Sequence, residues 1–193
     1  MGTPIGTEAS EFRGLQIVNI VSSGVLGTGE IDTKQVAADL CVEHTSLPGR
    51  LYLMPAELSP VAMVFRSGTY TIAGASSWDE ILKAVSWLYE SLNSLDAPAV
   101  ASEMKESLSV KYLVVTGDLD TSLNLSAAVI ALGMERSEYE PEQFPALIYH
   151  PKHYNCTVLL FSTGNITITG VQDVETAHQV FQYIDNSIAE LLS

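Results

Sequence analysis

The residue types that most often perform catalysis or bind metals are few and scattered in this chain. Its two cysteines, Cys41 and Cys156, lie outside any CxxC or Cys/His cluster, so the sequence predicts neither a disulfide framework nor a zinc site. The glycines from Gly24 to Gly29 lack the spacing and the lysine of a phosphate-binding loop, which favours a turn after a strand. No serine–histidine–aspartate or paired-carboxylate arrangement stands out. We therefore expect no catalysis, no cofactor, no metal and no small-molecule substrate.

The charge balance gives conflicting indications about nucleic acid. The 193 residues include 9 lysines and arginines against 23 acidic residues, for a net charge of −14. Phosphate-binding proteins gain affinity by placing lysine and arginine on the DNA backbone, so this composition argues against DNA binding. An acidic surface is also the general rule in proteomes adapted to high salt, where it keeps proteins soluble. The high-salt explanation weakens the argument against DNA binding without removing it.

Hydropathy favours a compact protein of the cytoplasm. Hydrophobic residues make up 47% of the chain and charged residues 17%, which is typical of a folded protein with a sizeable core. No apolar run reaches the roughly 18 residues that a membrane-spanning helix requires, and the first dozen residues lack the basic start and the apolar stretch of a signal peptide. We expect no membrane partner.

An internal repeat organises the sequence. Residues 64–74 match residues 160–170 at a constant offset of 96, with the phenylalanine, both glycines, a threonine and an isoleucine recurring. The same offset continues through two segments whose apolar residues follow helical spacing, 81–95 and 177–191. The two halves are therefore expected to fold alike.

Upstream, the repeat continues with small changes of length. Residues 48–52 match residues 145–149 at an offset of 97, which predicts one extra residue in a hairpin loop of the first half, before its phenylalanine. Residues 19–24 match residues 112–117 at an offset of 93. The repeat thus reaches from the first strand of each half to its last helix.

Each half has the pattern of a strand, a short helix, three strands and a long helix. Asp32 and Asn124 are expected to cap the short helices. The long helices are expected to begin at Ser77, which forms a capping box with Glu80, and at Asp173. The predicted ranges are 15–26 and 110–119 for the first strands, 33–41 and 125–132 for the short helices, 51–54, 61–65 and 70–73 for the next strands of the first half, and 77–94 and 173–192 for the long helices.

Strands and helices in this order predict an α+β fold. Each half forms an antiparallel sheet, and its helices can cover only one face. If the halves join edge to edge, they form a curved ten-stranded sheet whose other face is uncovered. Because an uncovered apolar face usually marks a binding surface, we expect that face to bind a partner.

One run of residues resembles a known family. Residues 138–149, Glu-Tyr-Glu-Pro-Glu-Gln-Phe-Pro-Ala-Leu-Ile-Tyr, and residues 159–164, Leu-Leu-Phe-Ser-Thr-Gly, closely resemble the second repeat of archaeal TATA-box-binding proteins. Residues 19–21 and 62–68 resemble the first repeat more faintly. The resemblance implies a two-fold pseudo-symmetric saddle, with a curved antiparallel ten-stranded sheet and four helices on its convex face. The implied domains are a flexible tail at 1–13, a first repeat at 14–96, a connector at 97–109 and a second repeat at 110–193.

The resemblance also implies a function in transcription initiation. Members of this family bind A·T-rich promoter DNA in the minor groove and bend it by wedging phenylalanine pairs between base steps, a mechanism that we carry over from the family. The wedge pairs fall on Phe144 with Phe161 and on Phe65 with Leu47, where the family has phenylalanine. The other positions that match DNA-contacting residues of the family are Asn19, Val21, Met63, Arg66, Thr71, Ala73, Tyr112, Val114, Leu159, Thr167 and Thr169.

The implied partners include proteins as well as double-stranded DNA. Glu140, Glu142 and Gln143 match the loop with which the family binds transcription factor B, which connects to the RNA polymerase machinery. The DNA-contacting positions depart further from the family, because Tyr112 replaces a central asparagine and up to six basic phosphate contacts are replaced. Two interpretations therefore remain. The first is a general initiation factor that recruits transcription factor B to promoter DNA; the alternative is a saddle-fold paralogue with weak or no DNA binding that acts through protein interactions.

Overall fold

The chain folds into two compact units. The computed structural model describes residues 14–27, 29–39, 44–94, 99 and 101–192. The first unit spans Asn19–Lys111, and the second combines Tyr112–Ser193 with the described residues before Asn19. The tail expected at 1–13 lies outside the described residues, as does the start of the expected connector.

The first unit is an antiparallel sheet with helices on one face. Its elements are β1 (Gln16–Val25), α1 (Thr33–Asp39), β2 (His44–Leu47), β3 (Arg50–Leu53), β4 (Val61–Phe65), β5 (Thr69–Ala75), α2 (Trp78–Asn93) and α3 (Ala101–Glu106). The strands pair in the order β2-β3-β4-β5-β1. Helix α2 packs on β4 and β5.

The second unit repeats this arrangement. Its elements are β6 (Ser109–Asp118), α4 (Leu125–Leu132), a 3-10 turn (Met134–Arg136), β7 (Ser137–Glu138), β8 (Ala146–Tyr149), β9 (Thr157–Phe161), β10 (Asn165–Val171) and α5 (Val174–Leu192). The strands pair in the order β7-β8-β9-β10-β6, which is the order of the first unit, and α5 packs on β10. The α+β class and the internal repeat are therefore confirmed.

Two strands and one α-helix go beyond the residue pattern, which predicted four strands and two helices in each half. Strands β2 and β7 lie at the sheet edges and are short and mostly polar, so they carry no alternating apolar signal. Helix α3 forms within the expected connector, where it buries Met104. The Tyr70 hydroxyl donates a hydrogen bond of 2.6 Å to the Met104 carbonyl, which ties α3 to β5.

The helices begin where capping side chains satisfy their first N–H groups. The side chains of Ser77, Asn124 and Asp173 each accept a hydrogen bond from the backbone N–H three residues later, at 3.3, 3.2 and 2.7 Å. A cap of this kind stabilises a helix by about 1 kcal/mol. The Glu80 carboxylate accepts from the Ser76 N–H at 2.7 Å, so the expected capping box reaches one residue further back than Ser77.

Alternation along the strands separates the core from a second face. Val64 and Ile72 are fully buried on the face that α2 covers with its own buried stripe, which includes Ile81 and Leu88. The residues that alternate with Val64 in β4 and with Ile72 in β5 are half-buried and lie on the opposite face of the sheet, which we call the open face. The second unit has the same alternation in β9 and β10. Each sheet thus presents a row of side chains that its helices do not cover.

The pairing register corrects one part of the repeat alignment. Leu51 lies opposite Val64, and Leu147 lies opposite Leu160, so the offset in β3 and β8 is 96 and the alignment at 97 was wrong there. An offset of 97 would put Arg50 at the fully buried position of Leu147, where an unpaired guanidinium would be very costly. A slip of one residue turns the arginine to the open face. His44 lies opposite Leu53 and Ser137 lies opposite Tyr149, so the offset between β2 and β7 is 93. The connection from the edge strand to the next strand is therefore three residues longer in the second half, contrary to the extra residue predicted for the first.

Candidate nucleic-acid interface

The open face of the first unit carries residues that were expected to line a groove. Met63, Thr71 and Ala73 are half-buried there. Met63 lies directly opposite Thr71 in the β4–β5 pair, and Thr71 lies opposite Ser23 of β1. Val21 is more buried, at 7% exposure, beside a bulge in β1. Small and apolar side chains thus form a continuous surface of low polarity.

The open face of the second unit has the same construction. Leu159 lies opposite Thr167, which lies opposite Thr116 of β6. Thr169 lies opposite Val114 in the next row. All five are half-buried, and their polar atoms are limited to the threonine hydroxyls. A surface of this kind suits a narrow groove whose floor offers mainly acceptors and is recognised largely by shape.

Phe144 and Phe161 form the expected wedge pair of the second unit. Their ring centroids are 6.4 Å apart and their planes meet at 66°, which is an edge-to-face contact. Phe144 remains 39% exposed and Phe161 is half-buried. Ala146 lies opposite Phe161 and is almost fully buried, so its small side chain leaves room for the two rings. The pair is preformed and accessible.

The first unit holds its wedge residues differently. Leu47 lies opposite Arg50, and Arg50 lies opposite Phe65, so the arginine stands between the two expected wedge residues in one row. Leu47 is 44% exposed, but it is two strand spacings from Phe65, roughly 10 Å. Arg50 is exposed and occupies the position of Ala146 in the second unit. Sequence reasoning missed Arg50, although the cost of burying it in β3 could have revealed the register.

Asn19 and Tyr112 occupy equivalent positions with different chemistry. The Asn19 Oδ1 accepts a hydrogen bond of 2.8 Å from the Gly74 N–H, at a point where Gly74 adopts a φ of 94°. Its amide NH₂ group is left as a donor for a ligand on the open face. Tyr112 is 38% exposed and offers only a phenol, so the two units differ at this position.

The basic residues near the open face are few. Arg66 forms an ion pair with Glu30 at 3.2 Å, and both side chains are more than two-thirds exposed. Such a pair contributes little to stability and is screened by salt, so a phosphate could replace the carboxylate. Lys111, which sequence reasoning also missed, lines a shallow groove of about 340 Å³ together with Thr71.

The acidic loop before β8 is ordered by its own hydrogen bonds. Glu140, Glu142 and Gln143 are all exposed. The Glu140 carbonyl accepts from the N–H groups of Gln143 and Phe144, at 2.9 and 3.0 Å, and the Gln143 amide donates to the Glu140 carboxylate. The loop therefore presents its carboxylates to solvent and at the same time fixes the backbone of the wedge residue Phe144.

The perturbed titratable groups are structural. Burial raises the pKa of Tyr70 to about 12, and its hydroxyl is committed to the Met104 carbonyl. Burial also raises the pKa of the Cys156 thiol to about 11, which makes it a poor nucleophile. Within the described residues, no group of three or more His, Cys, Asp or Glu side chains could hold a metal ion. No helix in that part of the chain is long and apolar enough to cross a membrane.

Comparison with known proteins agrees with this geometry. The family model described as transcription factor TFIID, or TATA-binding protein, matches residues 14–95 and 107–191. TATA-box-binding protein C of Halobacterium salinarum is 36% identical over 92% of this chain and 99% of its own length, and TATA-box-binding protein 1 of Haloferax volcanii is 33% identical over 92% and 93%. The solved structure of Methanococcus jannaschii TBP matches with a TM-score of 0.78 at 29% identity, covering 92% of this chain and 98% of that one. The chain therefore belongs to the TATA-binding protein family.

Proposed function

We propose that this chain is a general transcription initiation factor that binds A·T-rich promoter DNA in the minor groove and bends it. The observation that carries this proposal is the preformed Phe144–Phe161 pair, next to an open face of small and apolar side chains. Because both rings are partly accessible, they can enter a base step without unfolding the sheet. Unstacking a step costs a few kcal/mol, which contact along the open face must offset.

The proposed contact surface includes both open faces. In the first unit it consists of Asn19, Val21, Leu47, Met63, Phe65, Arg66, Thr71 and Ala73, and we add Arg50 on the basis of its row. In the second unit it consists of Tyr112, Val114, Phe144, Leu159, Phe161, Thr167 and Thr169. The second unit supplies the stronger wedge, because it alone brings two aromatic rings into contact among the described residues.

We expect this chain to bind DNA more weakly, and with a smaller dependence on salt, than a protein whose contact surface is rich in lysine. Each phosphate neutralised by a lysine or arginine contributes about 0.9 to the slope of log affinity against log salt. Among the described residues, Arg50, Arg66 and Lys111 are the cations near the first open face, and Arg66 must leave Glu30 to contribute. Tyr112 offers a single phenol O–H where Asn19 offers an amide NH₂ group in the other half.

We further propose that Glu140, Glu142 and Gln143 bind transcription factor B and so recruit the RNA polymerase machinery. The supporting observation is their exposure on an ordered loop that shares a backbone hydrogen bond with Phe144. Through this shared loop, wedge insertion and factor binding would favour the same conformation. The proposed location is the cytoplasm, on the nucleoid, with functional repeats at 14–96 and 110–193 joined by 97–109.

A bending assay tests the promoter-binding proposal. Fluorescence energy transfer across a TATA duplex, and across a G·C duplex of equal length, would be measured from 0.1 to 2 M salt with and without transcription factor B. The Phe144→Ala/Phe161→Ala variant should lose most of the bend, whereas Met134→Ala, which truncates an apolar residue 71% exposed and outside the sheets, should keep it.

The same assay separates the alternative function. If the parent protein neither binds nor bends the TATA duplex even with transcription factor B present, the promoter-binding proposal fails and an interaction protein without DNA binding takes its place. Relatives named TATA-box-binding proteins at 33–36% identity do not favour that alternative.

A further inference from the structure

A groove on the helix side of the first unit has no role in the surfaces described so far. It has a volume of about 760 Å³ and lies between the β3–β4 loop and α2. Met54 and Leu58 line it from the loop, and Leu82 and Trp87 line it from the helix. Leu82 is 38% exposed and lies outside the buried stripe of α2, so together with the other apolar lining residues it forms an exposed apolar patch. The groove is thus an apolar surface that is open to solvent.

The internal repeat shows that the fold does not require these apolar side chains. At the offset of 96 that pairs α2 with α5, Leu82 corresponds to His178. Met54 likewise corresponds to His150, whereas Leu58 and Trp87 correspond to Tyr154 and Tyr183. The second unit thus builds the same elements with histidine at two of the four apolar positions and tyrosine at the other two. The apolar character of the first groove therefore needs an explanation other than folding.

The charges around the groove indicate what it could bind. Lys83 is held by Asp79 at 2.7 Å, a contact that also raises the pKa of the lysine. Glu57 and Glu90 line the groove as well, so its rim is left with a net negative charge. An apolar floor with an acidic rim is complementary to a basic segment that carries apolar side chains.

We propose that this groove docks a basic amphipathic helix of another protein, with an apolar side chain of that helix inserted between Leu82 and Trp87. Recognition of a helix in a groove uses apolar anchors at helical spacing, and a volume of about 760 Å³ accommodates more than one such anchor. A second copy of this chain fits poorly, because it has a net charge of −14 and the same acidic rim. Helix α2 packs on the sheet face opposite Met63 and Thr71. A partner helix docked against α2 therefore does not compete with a ligand on the open face of this unit.

A fluorescein-labelled synthetic helix provides the probe. It has 18 residues, leucine at positions spaced three and four apart, and lysine elsewhere; a scrambled peptide of the same composition controls for charge. Binding to the full chain would be followed by anisotropy at 0.15 M and 1 M salt. The test variants are Leu82→His, which copies the second unit, and Glu57→Gln/Glu90→Gln. Ile130→Ser is the matched control, because Ile130 is an exposed apolar residue of α4 in the other unit.

The amphipathic peptide should bind the parent at least tenfold more tightly than the scrambled peptide does. Leu82→His should weaken binding about tenfold, as expected for one leucine that no longer contributes buried apolar surface. The double glutamine variant should weaken binding at 0.15 M and have little effect at 1 M, and Ile130→Ser should bind like the parent. Equal binding of the two peptides, or equal binding by Leu82→His and the parent, would overturn the proposal. The proposal would also be overturned if sedimentation showed that the parent self-associates and that Leu82→His abolishes this self-association. The occupant of the groove would then be a second copy of the chain.

Discussion

The row Leu47–Arg50–Phe65 predicts that the missing wedge of the first unit can be rebuilt. The second unit places a phenylalanine, Phe144, next to a row in which Ala146 lies opposite Phe161. In the first unit, Arg50 takes the place of Ala146, and Leu47, which the sequence aligns with Phe144, lies opposite Arg50 in β2. The variant Leu47→Phe/Arg50→Ala therefore gives the first unit the residue types of the second. Leu47→Phe alone should have less effect, since the arginine still stands between the rings.

The expected gain depends on salt in a way that can be worked out. A restored aromatic pair contributes about 0.5–1.5 kcal/mol, and stacking on a base about 1–3 kcal/mol. Removing the Arg50 charge costs about 1 kcal/mol at 0.15 M salt, if it neutralises one phosphate, and close to zero at 1 M. The aromatic pair also forms in the free protein, so only the stacking contribution raises affinity. The double variant should thus bind a TATA duplex with equal to about 30-fold higher affinity at 0.15 M and about 5- to 150-fold more tightly at 1 M. The slope of log affinity against log salt should become shallower by about 0.9.

Anisotropy titrations of a labelled TATA duplex at five salt concentrations would measure both quantities, with energy transfer reporting the bend at the step that faces the first half. Thermal unfolding of each variant controls for stability; both positions are exposed, so the melting temperature should change little. The reasoning is refuted if the double variant binds no more tightly than the parent at 1 M, or if the salt slope is unchanged. The first result would show that the row does not form a wedge, and the second that Arg50 does not contact phosphate.

Three further predictions concern other parts of the chain. Charge reversal by Glu140→Lys/Glu142→Lys should weaken a pull-down of transcription factor B while the circular dichroism spectrum stays unchanged, and undiminished capture would exclude this role for the loop. Gly164→Ala should lower the free energy of unfolding by at least about 1–3 kcal/mol, because Gly164 has a φ of 98° and an added Cβ would lie 2.3 Å from a carbonyl oxygen. Urea unfolding measures this loss. A loss below about 1 kcal/mol would contradict the steric argument. In a Cys41→Ser background, the Cys156 thiol should react with Ellman's reagent more slowly than free cysteine at pH 8. The reaction should become faster as the pH rises towards 11, because burial raises the pKa of this thiol and only the thiolate attacks. A reaction rate equal to that of free cysteine at pH 8 would show that the thiol is not desolvated.

The repeat allowed much of the fold to be predicted, because it supplied two independent copies of each element. Matching offsets of 93 and 96 located β1 with β6 and β4 with β9, and the pairing register agrees with both. The edge strand β7 could not be found in this way, since two polar residues carry no period. The ion pair of Arg66 with Glu30 was also out of reach, because it joins residues 36 positions apart in a loop and a turn.

The register of β3 shows where sequence comparison and physical chemistry give different answers. Comparison with residues 145–149 aligned Arg50 with a core leucine, because proline and tyrosine recur on either side. Burial decides otherwise, since Leu51 and Leu53 are fully buried and an arginine in that row would lose its hydration without gaining a partner. Testing each aligned position for the cost of burying its side chain would have given the correct register from sequence alone.

The acidic composition and the apolar open faces become consistent with DNA binding at high salt. The affinity gained by releasing counterions falls with the logarithm of salt concentration and vanishes near 1 M. If all of the up to six basic positions expected to differ from the family are phosphate contacts, their loss costs about five decades of affinity at 0.1 M and almost nothing at 1 M. Apolar contact and base stacking do not weaken in this way, and excluded salts can strengthen apolar burial. A protein that works in concentrated salt therefore gains little from lysines facing phosphate, and gains solubility from a net charge of −14. Affinity for the TATA duplex that holds level or rises between 0.5 and 2 M salt would support this account, and a decline as steep as a six-phosphate contact predicts, about 5 in log–log slope, would refute it.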